Sequence, residues 1–302
     1  APVRIERLLA LARLDTLSDA QMGAEQDAAK PDPSAPAPSV EAILHAILPA
    51  RCVDHTHADA VLSVANTPSG EERVRELYGD AGVVVPYVMP GCELARLVAE
   101  LFPAEATERT IGMVLLHHGV FSLGATAREA YERMIELVTR AEEYLAERGA
   151  WRIAFSGLAP PDRVLRDDLA ALRAAVSAAA GVPLVLSLHA DAATLGFARR
   201  EDVGSISQRG PATPDHAIRT KCVPLLGRDV GAFAEAYARY FAEHAPAAGR
   251  PLTMLDPAPR VILDPELGMC AAGRSAREAE AVADIYRHTI EIVLRATALE
   301  AY

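Results

Sequence analysis

The 302-residue sequence predicts an α/β fold in which helices cover the faces of a sheet. Short apolar runs such as Ile111–Leu116 are long enough for buried strands and short for helices. These runs alternate with segments of helical periodicity in both halves of the chain, and that alternation favours a sheet packed against helices. A hydrophobic fraction of 51% agrees with a globular protein that buries a substantial core.

The first half of the chain divides at its prolines and capping residues. Prolines between 31 and 38 break any helix, Ser39 is an expected N-cap, and Pro86 favours a sheet edge or a strand end. Thr126 and Glu129 form a capping-box pattern. The predicted order is helices at 4–14, 18–29 and from Ser39 to near Pro49, a strand spanning 51–62, a strand at 83–88, a helix at 92–102, a strand at 111–116 and a helix at 126–148.

The second half repeats the alternation of strand and helix. Gly181 is expected to stop one helix, and the capping box formed by Ser275 and Glu278 is expected to open the last one. The predicted order is a strand at 151–155, a helix at 162–180, a strand at 183–188, a polar loop at 199–214, a helix at 229–244, a strand at 260–263 and a helix from 275. The sequence reveals neither an internal repeat nor the glycine pattern of a nucleotide-binding unit.

Three histidines have the spacing of a metal site. His55 and His57 alternate in a predicted strand, so their side chains project from the same face about 6.6 Å apart. His118 follows a second predicted strand, and neighbouring strands could bring the three rings together. The adjacent His117 should point to the opposite face. A single buried histidine is more often a hydrogen-bonded core residue, but the set of three favours zinc or a related divalent ion.

Composition excludes several classes of function. A net charge of −11 argues against a nucleic-acid partner, because phosphate backbones require clusters of Lys and Arg. No apolar run approaches the roughly 20 residues that cross a bilayer, so a soluble protein is expected. The four cysteines form no C-x-x-C pair, which favours reduced thiols in the cytoplasm. No signal peptide is evident, and the missing initiator Met suggests part of a longer protein.

The histidine motifs and the long helix from Thr126 together resemble the class II aldolase/adducin family. The resemblance is closest to the aldolase portion of bifunctional rhamnulose-1-phosphate aldolase/alcohol dehydrogenases, and it extends across most of the chain. Its motifs are His55–His57, Leu116–Phe121, Pro38–His45, Gly210–His216 and Ala272–Ala279. It implies a three-layer α/β/α sandwich with a mainly antiparallel central sheet. Residues 1–150 would form the core that carries the metal site, and residues 151–302 a C-terminal α/β extension packing on the same core.

The resemblance also implies a reaction. His55, His57 and His118 would hold Zn²⁺ or another divalent metal such as Mn²⁺ or Co²⁺, and Glu41 would serve as proton-transfer base and occasional metal ligand. A Lewis-acidic ion beside a carboxylate suits carbon–carbon cleavage next to a carbonyl. The expected function is retro-aldol cleavage of a ketose 1-phosphate, of the rhamnulose or fuculose type, to dihydroxyacetone phosphate and an aldehyde. Without the resemblance, Glu41 is an ordinary first-turn glutamate favoured by the helix dipole.

Substrate binding and the alternatives are less constrained by the sequence. His216 could approach the metal or substrate, with Arg219 and Lys221 available for its phosphate, and a solvated loop is an equal alternative for each. Relatives carry glycine- and serine-rich phosphate-binding segments ahead of Glu41 and a following dehydrogenase domain, and neither is found here. A sugar-phosphate epimerase and a non-catalytic adducin-like module remain alternatives, whereas a zinc hydrolase lacks its H-E-x-x-H motif. A homo-oligomer is expected by analogy with relatives.

Overall fold

A computed structural model describes residues 2–14, 17–155, 166–248 and 251–302. The chain divides into two compact units. The first comprises Ala1–Trp151 with Ala298–Ala301, and the second comprises Arg152–Thr297 with Tyr302. Each unit has its own four-stranded sheet and its own apolar clusters.

The sheet of the first unit has the strand order β1-β4-β3-β2. Strand β4 runs antiparallel to both β1 and β3, whereas β2 and β3 are parallel. The helices are α1 Ile5–Leu11, α2 Asp19–Ala28, α3 Ala42–Ile47, α4 Asp59–Ala65, α5 Gly70–Tyr78, α6 Cys92–Glu105 and α7 Ala127–Glu147, and the strands are β1 Cys52–Thr56, β2 Gly82–Val85, β3 Gly112–Leu115 and β4 Gly119–Gly124.

Both faces of this sheet are buried beneath helices. Met113 and Phe121 belong to an apolar cluster that includes residues of α1, α3 and α6. The alternating residues Val114 and Val120 belong to a second cluster with residues of α4, α5 and α7. Strand side chains alternate between faces, so burial on both sides explains why these strands are apolar throughout.

The second unit has the strand order β5-β8-β7-β6. Strand β8 is antiparallel to both β5 and β7, whereas β6 and β7 are parallel. The helices are α8 Arg166–Ala180, α9 Ala192–Ala198, α10 Val203–Ile206, α11 Pro214–Thr220, α12 Val230–His244 and α13 Ala276–Leu299, and the strands are β5 Val185–His189, β6 Leu225–Leu226, β7 Val261–Asp264 and β8 Gly268–Gly273.

The two units therefore repeat one sheet topology, which corrects the expectation of no internal repeat. Their strand orders correspond one to one, and so do the parallel and antiparallel pairings. Two glycines correspond as well. A Cβ on Gly119 would lie 2.6 Å from the carbonyl oxygen of Thr56, and one on Gly268 would lie 2.6 Å from that of His189. The repeat is thus seen in the strand pairing and the backbone packing, and not in an extended sequence match.

The expected fold is confirmed at the level of an α/β protein and corrected in its sheet. The chain forms two sheets instead of one central sheet, and each is mixed, with two antiparallel pairs and one parallel pair. The parallel pairs arise because β2 and β3 are joined through α6, and β6 and β7 through α12, so each connection returns the chain in the same direction.

Several predicted elements differ from the structure. Residues 59–62 are helical rather than strand, and 151–155 form no strand. The strand predicted at 83–88 ends at Val85, because Pro86 cannot donate a ladder hydrogen bond. The predicted loop at 199–214 contains α10, and α11 begins at its last residue. The start predicted for the helix at 162–180 lies outside the described residues.

The long helix from Thr126 is confirmed. The Thr126 side chain accepts a hydrogen bond from the backbone N–H of Glu129, as an N-cap residue does. Within the described ranges, no helix combines the length and the apolar character that a membrane span requires.

Candidate metal centre

Four side chains of the first unit converge on one point. His55 lies in β1 and His57 directly after it, His118 ends the turn between β3 and β4, and Glu41 immediately precedes α3. One ligand atom from each residue lies within 4.8 Å of the others. The structure thus brings together the four residues that the sequence proposed as metal ligands and base.

The contacts within this cluster are short and buried. Glu41 Oε1 lies 2.6 Å from His118 Nε2 and 3.2 Å from His55 Nε2. These distances suit hydrogen bonds, yet the three atoms do not meet hydrogen-bond geometry and have no such partner in the described part of the chain. Buried polar atoms are rarely left in this state, and each requires an explanation such as an ion.

The charge of Glu41 is favoured by its neighbours. Burial by itself would raise the pKa of this carboxyl, but the imidazoles of His118 and His55 outweigh burial and hold the pKa well below its usual range. Glu41 is therefore a carboxylate at neutral pH. A carboxylate facing three imidazoles is a donor set that a divalent cation satisfies.

The ring of His55 is fixed by two contacts. Its Nδ1 lies 3.0 Å from the carbonyl oxygen of Val120, and its ring stacks on Phe121 at a centroid distance of 4.0 Å. Because a carbonyl only accepts, Nδ1 carries a proton, and Nε2 is the ring nitrogen that faces the cluster. Such a hydrogen bond to the second ring nitrogen orients metal-binding histidines.

Gly119 allows the strands to approach closely enough to form the cluster. A Cβ at this position would lie 2.6 Å from the Thr56 carbonyl oxygen, 2.8 Å from His57 Cδ2 and 3.0 Å from His55 Cε1. No side chain larger than hydrogen fits without displacing β1. The motif Leu116–Phe121 includes this glycine without a predicted role, and its position directly after His118 is the signal in the sequence.

His117 does not join the cluster. It is exposed in the turn with a left-handed backbone, φ 58°, and its ring meets that of Tyr87 edge-on at 5.9 Å. The positive φ turns the chain between β3 and β4, so that His118 faces inward while His117 faces outward.

A cleft of about 830 Å³ opens beside the cluster. Glu41, His45 and His55 line one part of it, and Tyr131 and Ile135 of α7 line another. Tyr131 is 61% exposed, so the cleft offers both polar and apolar contacts to a small ligand.

The three residues expected to bind substrate belong to the second unit. Nδ1 of His216 lies 3.1 Å from Thr289 Oγ1, and Arg219 is exposed. Lys221 is buried, with its Nζ directed to the carbonyl oxygen of Asp256. Their part in substrate binding stays a prediction.

Family profiles match both units. The profile described as "Class II Aldolase and Adducin N-terminal domain" matches residues 12–145, and "Aldolase class II, second domain" matches residues 163–302. The chain carries class II aldolase/adducin family domains. The metal-type cluster lies in the first of these aldolase domains, and the second aldolase domain contains the repeated sheet.

Two individual proteins are similar to this chain. One is "Uncharacterized oxidoreductase YuxG" of Bacillus subtilis (strain 168). It is 30% identical over an alignment of 322 residues, which covers 98% of this chain and 46% of that protein. This chain thus spans less than half of that relative. The other is a structure from Thermoplasma acidophilum, "the N-terminal Class II Aldolase domain of a conserved protein", with 39% identity and a TM-score of 0.44, covering 47% of this chain and 65% of that one.

The residues present fit a divalent ion. In a tetrahedral zinc site with bonds of about 2.1 Å, ligand atoms lie about 3.4 Å apart. The four donor atoms already lie within 4.8 Å of one another, so only small side-chain adjustments would be needed. Occupancy by a cation would also satisfy the three buried atoms that have no hydrogen-bond partner.

Proposed function

We propose that this chain is a metal-dependent lyase that cleaves a ketose 1-phosphate, of the rhamnulose or fuculose type, into dihydroxyacetone phosphate and an aldehyde. The observation that carries the proposal is the cluster of three imidazoles and one carboxylate within a class II aldolase domain. The adjoining cleft is large enough for a phosphorylated sugar.

The proposed roles follow from the chemistry of the side chains. His55, His57 and His118 would hold Zn²⁺, Mn²⁺ or Co²⁺, with Glu41 as an additional ligand when no substrate is bound. The bound ion supplies Lewis acidity, which polarises the oxygens next to the breaking carbon–carbon bond. The Val120 carbonyl keeps His55 in the tautomer whose Nε2 can bind a cation.

Glu41 would carry the proton. Its carboxylate accepts the proton of the substrate hydroxyl whose carbon becomes the aldehyde carbon, as the neighbouring carbon–carbon bond breaks. The same group returns a proton to the carbon left on the three-carbon product. Its burial keeps bulk water from competing for the proton.

Several finer expectations accompany this proposal. The sequence predicts that His216 approaches the metal or substrate and that Arg219 and Lys221 contact the phosphate of the substrate. Homo-oligomer formation and a cytoplasmic location also remain expectations. The Bacillus subtilis relative that is named an oxidoreductase is more than twice as long as the part that matches this chain.

Turnover tests the proposal. The purified chain, loaded with Zn²⁺, Mn²⁺ or Co²⁺, should release dihydroxyacetone phosphate from rhamnulose or fuculose 1-phosphate, and a chelator should abolish the release. Glu41→Gln should lower kcat by about 10²- to 10⁴-fold, because it removes the proton acceptor. The exposed Glu93, changed to Gln, is the matched control and should keep full activity.

Each failure of this assay has a distinct meaning. A metal-loaded protein that cleaves neither substrate would contradict the lyase assignment and favour a non-catalytic module. Interconversion of stereoisomers without release of dihydroxyacetone phosphate would identify an epimerase. Unchanged kcat in Glu41→Gln would refute the role of that carboxylate.

A further inference from the structure

The chain uses lysine at only two positions. Of its 30 lysine and arginine residues, only Lys30 and Lys221 are lysines. Arginine stays protonated in proteins, whereas a buried lysine can lose its proton and react as an amine. Each of the two lysines is therefore a candidate for a role that arginine cannot fill.

Lys30 has a structural role. Its Nζ lies 2.6 Å from Asp27 Oδ1, 2.8 Å from the carbonyl oxygen of Ala35 and 3.3 Å from that of Pro33. Three acceptors match the three hydrogens of an ammonium group. This lysine ties the end of α2 to the following proline-rich segment.

Lys221 has a different environment. It follows α11 with a left-handed backbone, φ 62°, and is only 7% exposed. Its Nζ donates to the carbonyl oxygen of Asp256 and lies 3.6 Å from the centre of the Tyr237 ring. A non-glycine residue held at positive φ is strained, and such residues occur preferentially at functional sites.

Lys221 is one of the residues that line a cavity of about 490 Å³ within the second unit. The other groups available to a ligand there include Arg209, Cys222, Phe233, Tyr237 and Tyr240. The Cys222 thiol donates to the Tyr240 hydroxyl at 3.7 Å. The cavity thus combines an amine, a guanidinium and aromatic rings.

Burial makes the Lys221 ammonium easier to deprotonate than that of an ordinary lysine. Burial is the main cause that lowers the pKa of Lys221 to about 8; Asp256 and Cys222 act in the opposite direction, and Arg260 contributes to the lowering. About a tenth of the amine is then unprotonated at pH 7, far more than for an ordinary lysine. Burial also raises the pKa of Tyr237, and the bond to Cys222 raises that of Tyr240, so both phenols keep their protons.

We propose that Lys221 binds a small anionic aldehyde in this cavity as a Schiff base. The neutral Nζ attacks the carbonyl carbon, so that a carbon–nitrogen bond forms, the carbon–oxygen π bond breaks and one Nζ proton passes to the oxygen. The resulting carbinolamine loses that oxygen as water and leaves an imine, and hydrolysis reverses the step without any oxidant or reductant. Arg209 would pair with the anionic group, and the Tyr240 hydroxyl would donate to the carbonyl oxygen.

This assignment gives Lys221 a covalent role in place of the phosphate contact considered from the sequence. It rests on groups of the second unit alone and does not depend on the metal-type cluster. Loss of metal should therefore leave imine formation unchanged.

Reductive trapping tests the proposal on the full chain. Glyoxylate with cyanoborohydride, followed by proteolysis and mass spectrometry, should label Lys221 at least tenfold faster than Lys30, the internal control. Labelling of Lys221 should rise with pH through about 8 and level off above it, as its amine becomes neutral. Lys221→Arg should abolish that label, and Lys30→Arg should not affect it.

A second comparison tests the anion preference. Arg209→Ala should slow labelling by glyoxylate several-fold while leaving labelling by the neutral glycolaldehyde unchanged. Equal labelling of Lys30 and Lys221 in the unmodified chain would overturn the proposal, and this readout needs no variant to fold. Absence of any label on Lys221 would overturn it equally.

Discussion

At the scale of single residues, the metal-type cluster depends on having glycine at position 119. Gly119 has no Cβ, and the space that a Cβ would need is occupied by Thr56, His57 and His55. The three histidines supply the donor atoms, but the glycine sets how closely their strands approach. Site geometry here is decided as much by backbone packing as by ligand chemistry.

Gly119→Ala should therefore damage both stability and metal binding. The added methyl group forces β1 and β4 apart, which we expect to lower the free energy of unfolding by about 1–3 kcal/mol. Urea denaturation and metal analysis would measure the two effects. Gly23→Ala is the matched control, because nothing lies within 4 Å of its added Cβ, and in helix α2 it should be neutral or stabilising by up to about 1 kcal/mol.

Equal stability and metal content in Gly119→Ala and the unmodified chain would contradict this account. The sequence predicted the grouping of His55, His57 and His118 because strand alternation and spacing are local properties. It could not predict the 2.6 Å approach to the Thr56 carbonyl, which depends on the pairing of two strands far apart in sequence.

At the scale of elements, the turn between β7 and β8 is organised by Asp264. Its carboxylate accepts backbone hydrogen bonds from Glu266 and Leu267, both at 2.9 Å, and binds the Arg228 guanidinium at 2.8 and 2.9 Å. Burial raises the pKa of Asp264, but these bonds outweigh burial and the pKa lies below its usual range. The turn is thus held by a buried charge with a full set of partners.

Asp264→Asn should lower the free energy of unfolding by about 2–4 kcal/mol at pH 7, because Arg228 loses one of its carboxylate partners. If the amide oxygen keeps the backbone N–H groups of Glu266 and Leu267, the amide NH2 faces the Nε donor of Arg228, and two donors then meet without an acceptor. The pKa of Asp264 is lower in the folded than in the unfolded chain. Its contribution is therefore complete above the unfolded value of about 3.9 and is lost as pH falls through the folded value. Denaturant unfolding of both proteins at pH 7 and in acid measures the difference.

Glu235→Gln is the charge-matched control for this prediction. Glu235 pairs with Arg239 at 3.8 Å on an exposed helix face, so its loss should change stability by less than about 0.5 kcal/mol at any pH. A similar effect of the two substitutions at pH 7 would show that the turn does not depend on Asp264.

Helix α4 and strands β4 and β8 were not predicted from the sequence, for identifiable reasons. In α4 every residue from Ala60 to Ala65 is buried, so the segment lacks the polar face that distinguishes a helix from a buried strand. Strands β4 and β8 begin and end with glycine, which weakens the strand pattern. The capped helix from Thr126 was predictable because its signal, a capping residue followed by helical periodicity, is contained in contiguous sequence.

At the scale of the whole chain, the repeat explains why one unit carries the cluster. Cys52 pairs with Gly124 and Val185 pairs with Gly273, and this register makes His189 the counterpart of Thr56. The shared tetrapeptide His-Ala-Asp-Ala, at 57–60 and 189–192, would instead align His189 with His57. The tetrapeptide match is therefore offset by one residue from the strand register. A one-residue offset would place every strand side chain on the opposite face of the sheet.

The register also identifies the residues of the second unit that lie at the positions of the three histidines. Leu188 and Ala190 correspond to His55 and His57, and Leu267 corresponds to His118 in the turn before the matching glycine. These apolar side chains cannot bind a cation. Among the described residues of the second unit, no comparable group of ligands is found.

Among the described residues, Glu41, His55, His57 and His118 form one candidate divalent-metal site, and the metal stoichiometry of the chain tests whether they bind an ion. Elemental analysis after loading with Zn²⁺ and removal of excess should give about one ion per chain. His118→Asn should lose that ion, whereas the adjacent His117→Asn should retain it, because His117 faces solvent and Asn tolerates its positive φ. Two ions per chain, none at all, or full metal content in His118→Asn would contradict the account.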